Sequence, residues 1–293
     1  MKTSHKGKNA VIVITKANGE QEPYSSDKLK ASLKKSGADE KEIQSVIEAI
    51  DRKLYDGIST RQIYREAYRL LKKTDRHFAA RYNLKRAIME LGPSGYPFEK
   101  FFAAILTRKG YRTQTGTIVQ GRCISHEVDI LAEKDNDCFM IECKYHNQPG
   151  TISEVKIPLY IQSRFKDIEP VWKNTSGHRN KSFTGWVVTN TRFSGDALAY
   201  GMCAGLRMTA WDYPVNESLK KTIDMHGLYP VTCLTSLTKN EKQALLQKNI
   251  VHCTELMHNE NYLKQLGLDD EKIRRVTGEA GELCRNTQHI TYK

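Results

Sequence analysis

One stretch constrains this chain more than any other: Glu127 to Lys144, EVDILAEKDNDCFMIECK. Two apolar runs, Val128 to Ala132 and Phe139 to Cys143, flank a charged turn of Lys134, Asp135, Asn136 and Asp137. That is the pattern of a β-hairpin. Side chains alternate faces along a strand, so Asp129 is expected to share a face with Glu127, and Glu142 with Lys144. Phe139, Ile141 and Cys143 then point the other way. The product is an acid on one strand and an acid-x-lysine on its neighbour. A hard divalent cation takes oxygen ligands, commonly from only one or two carboxylates. It can activate a water and stabilise a phosphate under attack, and a lysine two residues from a ligand can orient that water or meet the developing charge. Asp129 and Glu142 are therefore candidate ligands for Mg2+ (or Mn2+), and Asp129, Glu142 and Lys144 a candidate catalytic set for phosphodiester hydrolysis. The same alternation also suits a solvated hairpin face carrying ordinary charges.

The order D-(x)n-E-x-K on adjacent strands resembles the PD-(D/E)xK nuclease superfamily, and within it the Mrr-type restriction endonucleases. The resemblance runs from Phe98 to Tyr213. It takes in an opening helix with Glu99 near its start, the hairpin, the segment VVTNTRFSGDALAYG at Val187 to Gly201, and a strand at Leu206 to Trp211. It implies a mixed sheet with helices packed on it, a divalent metal, DNA as substrate, and auxiliary roles for Glu99 and Gln162. Read without the family, Glu99 is an acid suited to the first turn of a helix dipole, and Gln162 a surface glutamine. One departure stands out: His126-Glu127 occupies a place where that family often has glycine, which bears on the local strand geometry.

The first segment has a different character. Val11 to Thr15 reads as a strand, Asn18-Gly19 as a two-residue turn, and Gln21 to Tyr24 as the returning strand. Ser25 or Ser26 caps a helix to about Lys35. Amphipathic helices follow at Ala38 to Leu54, from Thr60 onward with Thr60 as cap, and at Asp75 to Leu91, stopped by Gly92-Pro93-Ser94-Gly95. The motifs ITKANGEQEPYSSDKLKASL (Ile14 to Leu33), YDGISTRQIY (Tyr55 to Tyr64) and FAARYNLKRAI (Phe78 to Ile88) resemble the ATP-cone, the nucleotide-sensing domain of ribonucleotide reductases and their transcriptional regulators. The resemblance implies ATP or dATP as regulatory ligand, lined by Ile14, Lys16, Glu22, Lys28, Thr60 and Tyr64. Lysines can meet phosphates as point charges. The family usually has Lys-Arg at the hairpin tip where this chain has Lys16-Ala17, and often histidine at the position of Tyr64. A plain helical domain with solvated lysines is the alternative.

The fold class expected is α/β (α+β overall) in three parts. Residues 1–96 form an N-terminal β-hairpin plus four-helix ATP-cone-like domain, with Tyr96-Pro97 as the join. Residues 97–213 form a central mixed-sheet, restriction-endonuclease-like core. Residues 214–293 form a C-terminal helical segment. Within the core, Ser153 is expected to cap a helix reaching Ile168, with Pro158 as kink or restart. His146 lies near the site in sequence, and the polar loop Asn174 to Lys181 contains Arg179. In the last part, Leu266 to Leu283 faintly resembles half of a helix-hairpin-helix unit, with a packing or partner-binding bundle as the alternative.

Composition bounds the function. Apolar residues make up 39% of the 293, enough for packed cores, and no apolar run approaches a membrane span. The seven cysteines include no C-x-x-C pair, which argues against a zinc ribbon or disulfide framework and leads to a cytoplasmic expectation. The net charge of +12 favours polyanionic partners, whether DNA or an adenine nucleotide. Three readings remain: a nucleotide-regulated, metal-dependent DNA endonuclease; a nucleotide-controlled DNA-binding or regulatory protein with an inactive core; and a regulator of the ribonucleotide reductase type, weakened by the missing zinc-ribbon cysteines. Retention of the whole acid–acid–lysine set favours the first. Cutting both strands would favour a homo-oligomer, a dimer with two sites.

Overall fold

The computed structural model describes residues 11–16, 19–175, 177–178 and 180–285. Ala17, Asn18 and Arg179 lie outside the described residues. The chain divides into two compact units, Met1–Asn83 and Leu84–Lys293.

In the first unit, β1 (Val13–Thr15) and β2 (Gln21–Pro23) pair antiparallel, Ile14 opposite Glu22. Gly19 takes φ +86° at the turn and donates its amide to the Lys16 carbonyl at 3.0 Å, a conformation open to glycine at no steric cost. Helix α1 (Ser26–Lys35) is capped by Ser25, and α2 (Glu40–Asp51) by a reciprocal Asp39–Glu42 box. Helix α3 (Thr60–Thr74) is capped by Ser59 with Gln62, so Thr60 is its first helical residue and not its cap. Ser59 with Gln62 three residues on is the capping-box pattern. Helix α4 (Arg76–Tyr82) follows an Asp75 cap. The single helix expected to run to Leu91 is broken at Asn83, and α5 (Leu84–Met89) belongs to the second unit. Asparagine competes locally for hydrogen bonds that a helix would use; here its side-chain oxygen accepts the Tyr64 hydroxyl at 2.9 Å. Leu33, Ile43, Ile50, Ala67 and Leu71 fill the core of this unit.

The second unit begins with α5 and α6 (Tyr96–Arg108), where Pro97 sits in the first helical turn, a position that tolerates its missing N–H. Tyr96-Pro97 is thus inside a helix. Helix α5 is held to this unit by the Thr232 hydroxyl, which donates to the Ala87 carbonyl at 2.7 Å. The sheet has the order β3 (Arg112–Gln120), β4 (Ser125–Lys134), β5 (Asp137–Lys144), then, after a two-residue β6 (Ile152–Ser153) and α7 (Lys156–Lys173), β7 (Ser182–Thr189). A short β8 (Arg192–Phe193), which pairs with β6, and α8 (Gly195–Cys203) lead to β9 (Arg207–Thr209) at the far edge. β3, β4 and β5 pair antiparallel; β5, β7 and β9 pair parallel. The mixed sheet is as expected, with β3 added: its run RTQTGTIVQ lacks apolar alternation because it is an edge. Ser153 lies in β6 and does not cap α7, whose N-cap is Val155 with no side-chain bond; Pro158 falls in the first turn, and α7 runs on without a restart.

After Pro214 come α9 (Leu219–His226), a 3₁₀ turn at Val231–Cys233, α10 (Lys239–Gln247), α11 (Cys253–His258), α12 (Asn261–Lys264) and α13 (Asp270–Arg285). These helices share the unit of the sheet and do not form a third body. His252 stacks on Phe101 of α6 with centroids 4.4 Å apart, and α9 is stitched to the segment after β9 by Leu219 and Lys220 amides on the Ala210 and Trp211 carbonyls. Among the described residues no helix is long and apolar enough to cross a membrane.

Glu279 of α13 is 5% exposed, and its two oxygens accept the amides of Thr235 and Ser236 at 2.6 and 2.9 Å. Hydrogen bonds to a charged group contribute about 1.5–3 kcal/mol each. Glu279→Ala is therefore expected to lower the stability of the second unit by about 3 kcal/mol or more. Urea unfolding read by tryptophan fluorescence checks this, since Trp172, Trp186 and Trp211 all lie in that unit.

Candidate active site and nucleotide site

The candidate active site is built where the β4–β5 ladder stops. The paired register ends at Ile130–Ile141. On the other side of β4, the register steps from Thr115–Ile130 to Thr117–Val128, leaving Gly116, at φ +61°, across from Asp129. Val128 and, three residues on, Leu131 pack into the same core under α7, so strict alternation does not carry through Asp129. Such local breaks re-aim side chains. The Asp129 carboxylate accepts the Cys143 amide at 2.7 Å, beyond the last paired residues of the ladder. The glycine bearing on this geometry is thus on β3, while His126 and Glu127 pair regularly with Val119 and Ile118. His126 is also held by Asp167 of α7 at 2.8 Å. Asp167 further accepts the Cys123 and Ile124 amides.

On β5, Lys144 Nζ lies 2.6 Å from Glu142 Oε1, as same-face residues should. The other oxygen of Glu142 meets Arg164 Nη1 of α7 at 2.5 Å. Glu142 and Arg164 side chains are 9% and 11% exposed. Arg164 also donates to the Glu127 carbonyl. Arg164 is the residue that sequence reasoning missed. Gln162 turns elsewhere: its amide donates to the Ala204 carbonyl at 3.4 Å, at the end of α8. Residues two apart on a helix do not share a face, so Gln162 and Arg164 could not both point at the site.

Burial raises the Glu99 carboxyl to about 7, aided by the charges of Asp129, Glu142 and Glu127. Burial also raises Asp129 to about 6, with Glu142 adding repulsion and the Cys143 amide, Lys144 and Arg164 opposing it. Glu99, Asp129 and Glu142 thus feel one another electrostatically. A cation held by oxygen donors would relieve that repulsion, and Asp129 and Glu142 are the residues that could hold it; at Glu142 it would compete with Lys144 or Arg164 for a carboxylate oxygen. His146 is not turned to such a role: its Nε2 meets Ser153 Oγ at 3.0 Å, and burial and Lys144 lower its pKa. Asn190, 1% exposed, accepts the His146 amide and donates to its carbonyl. At the other end of the hairpin, Glu133, Cys138 and His178 lie together, yet Glu133 already carries Lys181 and Arg112 beside His178, a satisfied ion-pair hub.

In the first unit the hairpin is stitched to the start of α3. The Thr15 amide donates to Ile58 O at 3.0 Å, and Thr15 bridges to Ser59. Lys16 and Lys28 converge on Glu22, at 2.9 and 3.2 Å, which lowers the Glu22 pKa. Ile14 is a core residue beneath the hairpin, 6% exposed. Tyr64 stacks on Tyr82 with centroids 4.9 Å apart and hydrogen-bonds Asn83, so its hydroxyl is directed at the end of α4.

The architecture is that of an ATP cone joined to an α/β unit with carboxylates gathered at a broken strand. Residues 12–90 match the ATP cone domain, and residues 229–284 match the family described as AF1548-like, C-terminal. An uncharacterized protein of Archaeoglobus fulgidus is 36% identical over 180 residues, 61% of this chain and 97% of that protein. The crystal structure of a protein of unknown function, AF1548, superposes with a TM-score of 0.53 at 33% identity, covering 65% of this chain and 98% of that one. The chain belongs to the AF1548-like family.

The raised carboxyls give a pH signature in the metal-free protein. Their folded pKa values lie above the ordinary 4.5 and 3.8, so the protonated forms favour the fold at low pH, and that contribution is lost as pH rises from about 4 through about 7. Glu99→Gln removes the penalty of a buried charge. In EDTA its melting temperature is expected to exceed that of the parent at pH 8, with the gap closing toward pH 4. A gap of equal size at both pH values would contradict the assignment.

Proposed function

We propose that this protein is a nucleotide-regulated, divalent-metal-dependent endodeoxyribonuclease. The observation that carries the reading is the convergence of Asp129, Glu142 and Lys144 at the end of the β4–β5 ladder, with the charges of both acids felt by Glu99. A bound Mg2+ (or Mn2+) supplies a polarised water and a counter-charge for the phosphate. Asp129 and Glu142 would hold it. Lys144 and Arg164, released in part from Glu142, would meet the phosphate oxygens or orient the attacking water. Glu99, titrating near neutrality, is suited to exchange a proton there. The net charge of +12 suits a polyanionic substrate such as DNA, and cutting both strands would use a dimer with one site per chain. The ATP cone supplies the regulation, with ATP or dATP over Ile14, Lys16, Glu22, Lys28, Thr60 and Tyr64. A second reading, a nucleotide-controlled DNA-binding protein with an inactive core, draws support from one feature: both Glu142 oxygens are ion-paired, which closes that ligand in the metal-free state.

Two measurements test the proposal. Supercoiled plasmid in Mg2+ is expected to be nicked, at a rate that ATP or dATP changes, and Lys144→Ala should lower that rate about 100-fold or more. Retained DNA and metal binding without cleavage would favour the second reading. Separately, Lys16→Ala should weaken ATP binding about tenfold, the value of one charge-assisted contact, measured by calorimetry on the full chain; unchanged affinity would remove Lys16 from the nucleotide site.

A further inference from the structure

The residue after Lys144 makes an unusual pair of contacts. The Tyr145 hydroxyl donates to the Met89 carbonyl at 2.6 Å and accepts the Gly92 amide at 2.7 Å. Its ring lies against Phe98 of α6, centroids 5.8 Å apart. The stretch Gly92-Pro93-Ser94-Gly95 is moulded around it. A Cβ at Gly92 would come within 2.6 Å of the Tyr145 ring, and one at Gly95 within 3.3 Å of a Glu99 carboxylate oxygen. The segment that grips Tyr145 therefore also backs Glu99.

That segment has a second identity. The ATP cone match runs through residue 90, so α5 is the last piece of the cone in sequence, although it packs in the second unit. Helix α5 starts at the residue after Asn83, whose side chain holds the Tyr64 hydroxyl in the first unit. It ends at Met89, whose carbonyl holds the Tyr145 hydroxyl. On its other side, the strand end Lys144–His146 is pinned to the end of β7: the Thr189 hydroxyl donates to the Lys144 carbonyl at 2.8 Å, and Asn190 brackets the His146 backbone. Tyr145 is the side chain that joins this pinned strand end to the cone's closing segment.

We propose that Tyr145 is the positioning residue through which nucleotide occupancy of the ATP cone is read at Lys144, by way of Asn83, α5 and the Met89–Gly92 grip on the phenol. This rests on the nucleotide-regulated reading above and adds its route. A phenol is rigid, so a shift of the Met89 carbonyl or the Gly92 amide is carried to the Tyr145 backbone and to the lysine before it. Coupling of this kind is a free energy between two sites, and it disappears when the connecting contact is removed while each site persists.

Hydrogen exchange by mass spectrometry on the full chain, with and without saturating ATP, tests the route without using nuclease activity. In the parent protein, ATP is expected to change exchange both at residues 84–92 and at residues 142–146. In Tyr145→Phe, which keeps the ring and removes the hydroxyl, the change at 84–92 should persist, the change at 142–146 should be lost, and ATP affinity should stay within about twofold of the parent. Gly92→Ala, which keeps the hydroxyl and crowds the ring, should alter exchange at 142–146 even without ATP. A parent response confined to 84–92, or a full response at 142–146 in Tyr145→Phe, overturns the route. Failure of ATP to bind overturns the route together with the regulatory reading. A transmitted response in a protein that cuts no DNA supports the route and counts against the nuclease alone.

Discussion

Glu142 is a carboxylate on the central strand of a sheet covered on both faces, and a buried charge persists there only if it is paired. Lys144 comes from the same strand and Arg164 from the helix packed above, so that pairing ties β5 to α7. Arg164 reaches past it to the Glu127 carbonyl on β4. The arrangement of the site follows from this: β4 brings the Asp129 carboxylate onto the Cys143 amide, next to Glu142, at the point where the ladder stops and Gly116 interrupts the pairing with β3. Two acids and a third from α6 then crowd together, and the raised pKa values of Asp129 and Glu99 reflect the cost of holding them there.

A structure that concentrates like charge in a half-buried site stores a preference for something positive. Lys144 and Arg164 satisfy Glu142 but leave Asp129 and Glu99 above their ordinary range. The first unit has the opposite balance. Lys16 and Lys28 share one acid, Glu22, on an exposed hairpin, where surface pairing is worth little and an incoming phosphate competes readily. One unit thus gathers acids and the other sets two lysines on a single acid, and the segment from Asn83 to Glu99 is the covalent path between them.

Much of this was legible in the chain. The Glu127–Lys144 hairpin, the parallel β7–α8–β9 unit and the helices from Leu219 onward follow from periodicity and capping residues that act over a few positions. The cone motifs are local as well, since each is a continuous run of at most twenty residues. Three things were not legible. β3 is an edge strand rich in threonine and glutamine, stabilised by pairing to β4 and not by its own pattern. Asn83 breaks a helix whose periodicity runs on through it, because the partner that holds its side chain, Tyr64, is 19 positions away. Arg164 and Gln162 are equally polar on one amphipathic helix, and only the rotation at which α7 packs decides which of them meets Glu142.

The sequence by itself determined the elements, the acid–acid–lysine spacing and the ATP cone, because these depend on interactions between near neighbours. Tertiary structure alone decided that α5 leaves the cone to pack in the second unit, and that the helices after Pro214 share that unit with the sheet. It alone brought the Tyr145 hydroxyl to Met89 and Gly92, more than fifty residues away. Those outcomes depend on which surfaces are buried together. Burial is non-directional and leaves no mark in the spacing of residues along the chain.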